Sequence, residues 1–160
     1  MKKTAVVFCL VLASHVVASG ALLVTSVGSG SLRTDGSLGV GYQFQVSSTI
    51  AVKALGTWDQ GEDGLAGSHL VVIWDVATQT KLAEATVPAG TAAFLDASFR
   101  WANLGSDVTL SPGADYRIIS YRNAGDPFRD HNDTDTFSSL LQPIALNSPK
   151  AFFTNDVPSP

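Results

Sequence analysis

The chain has 160 residues, room for one domain of ordinary size and not for two. Hydrophobic residues make up 45% of it and charged ones 15%, which favours a buried core and argues against disorder throughout. Ten basic residues face fourteen acidic ones with no Lys/Arg cluster, a balance that excludes nucleic acid and anionic membrane surfaces as natural partners.

The chain opens with Lys2 and Lys3, then an apolar run over residues 5–18, then the small residues Ala18, Ser19, Gly20 and Ala21. This is the pattern of a secretory signal peptide, helical in its apolar run and cut between Ser19 and Leu22. A membrane anchor wants about 20 unbroken apolar residues, and Ser14 and His15 interrupt this run. No membrane span is expected after cleavage. Loss of Lys2 and Lys3 leaves eight basic residues against fourteen acidic ones, a net charge near −6. Cys9 goes with the leader, so the mature chain has no disulfide, thiolate metal site or Cys nucleophile.

Residues 21–37 are rich in Gly, Ser and Thr and read as a flexible lead-in. Strand signals follow. Leu38, Val40, Tyr42, Phe44 and Val46 alternate with Gly39, Gly41, Gln43 and Gln45, the period of a strand with one buried face. Ser47-Ser48-Thr49 turns the chain into a strand over residues 50–58, and residues 69–75 form a β-branched run. A polar turn at 76–80 leads to a strand over 81–87, closed by Pro88-Ala89-Gly90. Residues 94–104 read as one alternating strand, with Leu95, Ala97, Phe99 and Trp101 on one face and Asp96, Ser98 and Arg100 on the other. Residues 108–110 and 115–122 complete about seven strands, with turn signals every 8–12 residues. That spacing predicts an all-β, two-sheet antiparallel β-sandwich of jelly-roll type. The expected sandwich domain covers 38–146, after a signal peptide at 1–20 and the lead-in at 21–37, with an irregular tail at 147–160.

The first candidate site is the loop Trp58-Asp59-Gln60-Gly61-Glu62-Asp63-Gly64. Asp59, Asp63 and Gly64 occupy positions one, five and six of a calcium-loop pattern, and Glu62 adds a carboxylate, so Asp59, Glu62 and Asp63 are candidate Ca2+ ligands. Gly61 at position three and Leu70 at position twelve depart from the pattern, and an Asp/Gly-rich turn needs no ion. A second acidic loop holds Asp126, Asp130, Asn132, Asp133 and Asp135, with a formal glycosylation sequon at Asn132-Asp133-Thr134. His69 opens a strand directly after the first loop and is expected to pin it by a hydrogen bond. His69 and His131 are not spaced for zinc, and no nucleophile elbow or marked carboxylate pair is present.

Aromatic residues are the remaining candidates. Trp58, Trp74, Trp101, Tyr116 and Tyr121 could stack on the apolar face of a pyranose, although most strand aromatics are core. Trp58 is singled out as a ligand-binding residue because it ends a strand beside the acidic loop.

Seven words stand in one fixed order over about half the chain: Val40-Gly41-Tyr42-Gln43-Phe44, Ala54-Leu55-Gly56, Asp63-Gly64-Leu65-Ala66-Gly67-Ser68-His69, Ile73-Trp74-Asp75, Ala85-Thr86-Val87-Pro88-Ala89-Gly90, Phe99-Arg100-Trp101 and Leu110-Ser111-Pro112-Gly113-Ala114-Asp115-Tyr116. Together they resemble an uncharacterised β-sandwich domain of exported bacterial proteins, common where a PEP-CTERM (exosortase) sorting signal is carried. The resemblance implies a sandwich and an extracytoplasmic address, and it implies no established activity. Relatives tend to carry Asn where Gly61 stands, so calcium ligation transfers incompletely to Asp59 and Asp63.

The expectation is therefore a secreted, non-catalytic binding or structural module at the cell envelope or outside the cell, with an extracellular glycan or envelope component as its partner. A carbohydrate-binding module is the alternative, and an enzyme of unknown type the third.

Overall fold

A computed structural model of the chain describes residues 20–34, 39–121, 125–130 and 135–144. The signal-peptide expectation falls almost wholly outside the described residues, as do His131, Asn132, Asp133 and the tail at 147–160. No helix occurs among the described residues.

Twelve strands follow one another: β1 (Val24–Ser26), β2 (Ser31–Arg33), β3 (Gly39–Val46), β4 (Ile50–Trp58), β5 (His69–Asp75), β6 (Thr80–Val87), β7 (Phe94–Asp96), β8 (Phe99–Leu110), β9 (Tyr116–Tyr121), β10 (Phe128–Asp130), β11 (Thr136–Phe137) and β12 (Leu141–Pro143). They form a β-sandwich. A five-stranded sheet in the order β12-β3-β9-β5-β6 packs against a three-stranded sheet in the order β4-β8-β7, and every named pairing is antiparallel. The chain changes sheets between β3 and β4, β4 and β5, β6 and β7, and β8 and β9.

Alternation explains the core. The even positions Phe44 and Val46 of β3 meet the odd positions Val71 and Ile73 of β5, Ala83, Ala85 and Val87 of β6, and Leu55 of β4. Each fully buried aliphatic or aromatic side chain contributes about 1.5–3 kcal/mol. Leu110 of β8, Tyr116 of β9, Leu141 of β12 and Leu65 of the loop before β5 complete this core, and β6 contributes the small side chains Ala83 and Ala85 to it. At the sheet-crossing corner after β8, the Tyr116 hydroxyl donates to the Ser111 carbonyl at 3.1 Å and accepts the Ser111 N–H at 2.9 Å. This tie resembles the tyrosine corner of other sandwiches.

Three expectations change. The lead-in is not wholly loose: β1 pairs with β11 and β2 with β10, placing two short ribbons beside the main sheets. Residues 94–104 are not one strand. The chain reverses at Ala97-Ser98, both with positive φ (49° and 64°), so β7 and β8 form a hairpin. Two-residue turns of this kind usually use Asn-Gly, and Ala-Ser carries no such signal. The gap expected between 104 and 108 is also absent, because β8 runs continuously to Leu110 and absorbs its extra residues as a bulge opposite Val52–Ala54.

Candidate functional site

The reversal at Ala97-Ser98 sets which side chains of the small sheet face outward. In β4, Leu55 and Thr57 turn inward, and the Thr57 and Ser120 hydroxyls meet at 2.9 Å across the sandwich. The intervening Ala54, Gly56 and Trp58 therefore face out. Their cross-strand partners in β8 are Asn103, Trp101 and Phe99, and Trp101 and Phe99 pair in turn with Phe94 and Asp96 of β7. The outer face is thus a grid of three strands with four aromatic rings, Trp58, Phe99, Trp101 and Phe94, and a polar margin of Asn103 and Asp96.

Trp101 is the best prepared of these rings. A Cβ on Gly56 would stand 2.7–3.0 Å from Trp101 ring atoms, so the missing side chain lets the indole lie flat on β4. Its Nε1–H donates to the Asp96 carbonyl at 3.2 Å, which fixes the ring's rotation. One indole face therefore rests on the strand and the other is turned outward. Phe99 stands beside it, with ring centroids 5.8 Å apart and planes 41° apart. Phe94, on the other flank, is 51% exposed. An apolar side chain that open, on a three-ring surface, is a feature of interaction sites.

Trp58 lies on the same face, but the Arg129 guanidinium of β10 stacks over its ring at 5.4 Å, and Arg129 Nη1 also donates to the Gly30 carbonyl at 2.6 Å. Trp58 thus anchors the β2–β10 ribbon to the sandwich. The other sequence candidates separate: Tyr116 is core, and Trp74 is buried on the far face of the large sheet with Val72, Ile119, Leu70 and Tyr121. Burial pushes the Tyr121 hydroxyl up, an effect that the neighbouring Trp74 indole and the charge of Lys81 partly oppose. A cleft of about 950 Å³ follows β4, reaching from the inter-sheet residues Tyr42, Ile118 and Leu141 to the aromatic face.

The acidic loop after β4 has a different organisation from the expected calcium site. Asp59 is buried, and its Oδ2 accepts from Arg100 Nε at 2.8 Å. Arg100 also donates to the carbonyls of Thr91, Ala93 and Glu62 at 3.2, 3.1 and 3.1 Å. The Gly64 N–H approaches both Asp59 oxygens at 3.2–3.3 Å, and its φ of +109° with Gly90 backbone close by suits only glycine. Glu62 and Asp63 are exposed instead, Glu62 accepting from the Ser98 hydroxyl at 2.7 Å. A guanidinium thus takes the place expected for a cation at Asp59. Among the described residues no group of three or more His, Cys, Asp or Glu side chains stands where it could hold one metal ion.

The second acidic loop also disperses. Asp126 is buried, accepting the N–H groups of Ala66 and Gly67 at 2.8 and 3.0 Å and meeting His69 Nε2 at 2.9 Å. Burial opposes its ionised form, but these hydrogen bonds and the His69 ring outweigh it and hold the carboxyl below its ordinary value. Through Asp126, His69 is tied to Ala66 and Gly67, the segment just before β5, and not by these bonds to the 58–64 loop. Asp135 accepts the Gly28 N–H, and Asp130 belongs to β10, paired with Ser31.

Sequence reasoning missed Arg100, Phe94 and the partnership of Gly56 with Trp101, because all three depend on the hairpin at Ala97-Ser98. Comparison with curated proteins finds no match. A family model described as Domain of unknown function (DUF4082) matches residues 25–153, and the chain belongs to that family.

Proposed function

We propose that the domain is a non-catalytic binding module that holds a glycan against the outer face of the β4-β8-β7 sheet. The observation that carries this reading is the Trp101 indole, laid flat on Gly56, fixed through its N–H to Asp96, and open on its outer side between Phe94 and Phe99. An aromatic plane in that posture matches the apolar C–H face of a pyranose, and Asn103 and Asp96 at the margin offer amide and carboxylate groups to sugar hydroxyls. The buried polar residues Asp59, Arg100, His69 and Asp126 are occupied with one another and with loop backbone, which suits a structural rather than a catalytic role.

Export to the envelope or beyond is part of the proposal and rests on the Lys2-Lys3 leader pattern. Association with PEP-CTERM sorting rests on the sequence resemblance alone. The test is retention of the full chain on a panel of immobilised polysaccharides, alongside Trp101→Ala and Phe94→Ala. Retention by at least one glycan, lost in both variants, supports the proposal. No retention on any, or retention unchanged in both variants, contradicts it.

A further inference from the structure

The aromatic face carries enough geometry to narrow its ligand, on the condition that it binds a glycan as proposed above. We infer that it takes a single neutral glycan chain from solution, rather than a crystalline glycan surface or a polyanionic one. Phe99 and Trp101 stand two residues apart on one side of β8, so a chain laid along that strand meets them in succession. Their planes differ by 41°. Two rings at that angle cannot both lie flat on the planar surface of a crystalline layer. Successive pyranoses of a free chain rotate about the glycosidic bond and can follow such a turn.

Charge argues against a polyanion. Asp96 flanks Phe99, and at the other end of the face Asp107 lies beside the bulge. The amine nearest that end, Lys53, lies 3.9 Å from Asp107 and is offset by it. Arg129, at the Trp58 end, directs its guanidinium onto the Trp58 ring and the Gly30 carbonyl. A uronate or sulfate approaching Phe99 and Trp101 therefore meets carboxylates in a chain with a formal net charge of −4. Exposed Asn103, next outward residue of β8, offers both a donor and an acceptor to neutral hydroxyls.

The experiment is native electrophoresis of the full chain through gels holding soluble glucomannan, mixed-linkage β-glucan or polygalacturonate, with co-sedimentation on microcrystalline cellulose and chitin powders. Retardation is expected in at least one neutral gel, about tenfold weaker for Phe94→Ala or Trp101→Ala, with none in polygalacturonate and little protein on the powders. Phe94→Ala guards against misfolding, because the Phe94 side chain is half exposed and makes no ring–ring contact among the described residues. Powder binding without neutral-gel retardation, or polygalacturonate retardation equal to the neutral gels, overturns the inference and leaves glycan binding standing. Absence of binding to every probe overturns both.

Discussion

Arg100 Nε donates to Asp59 Oδ2 at 2.8 Å inside the sandwich, and the same guanidinium holds three backbone carbonyls. The pair joins the end of β4, the loop before β5 and the segment before β7 into one rigid end of the molecule. Removing one member leaves the other charge buried and unpaired, which costs about 3–5 kcal/mol. Arg100→Ala and Asp59→Ala are each expected to lose that much in urea unfolding, and the double variant to lose clearly less than their sum. Additive losses would show that the two side chains act independently.

The same pair bears on calcium. With Arg100 supplying the positive charge at Asp59, and Glu62 and Asp63 exposed, millimolar calcium is expected to leave the melting midpoint of chelator-treated protein unchanged. A structural site filled to about 100 times its dissociation constant would add roughly 2.7 kcal/mol. A rise of several degrees, lost in Asp63→Ala, would put a metal at this loop after all.

Asp126 gives the fold an acid limit. Its carboxyl sits below the ordinary value of 3.8 in the folded state, so its contribution is present above the unfolded value and is lost as pH falls through the lowered folded one. Stability is expected to decline below about pH 4, with a shallower decline in Asp126→Asn. Parallel acid profiles for the two proteins would contradict that assignment.

The hairpin turn leaves room for improvement. Ala97 holds a φ of 49°, which costs an L-residue roughly 1–2 kcal/mol, and Asn tolerates it better. Ala97→Asn should raise stability by about 0.5–1 kcal/mol in urea unfolding. A loss would mean that the turn is not as described.

Much of the fold is legible in the sequence. The period of two from Val40 to Val46 places Phe44 and Val46 in the core, and the turns at Ser47-Ser48-Thr49 and Pro88-Ala89-Gly90 bound strands where they are found. The candidate face was not legible, because alternation fixes which residues share a side only while the strand is unbroken. Ala97-Ser98 contains neither Asn nor Gly, so nothing announces the reversal that brings Phe94 across from Trp101. Burial of Arg100 was hidden for a related reason. A charged residue in an alternating run reads as solvent-facing, and only the tertiary meeting with Asp59 lets it turn inward. Likewise β1 and β2 are three residues each, and their partners lie about a hundred residues away. Local pattern carries no trace of such pairings.

The most direct measurement of glycan binding is a titration of the full chain, labelled with nitrogen-15, with soluble glucomannan and mixed-linkage β-glucan oligosaccharides, following the three indole N–H signals by NMR. Saturable movement of the Trp101 signal is expected, with Trp58 shifting less and buried Trp74 staying in place. Movement of Trp74 while Trp101 stays still, or no movement with any oligosaccharide, would contradict the account.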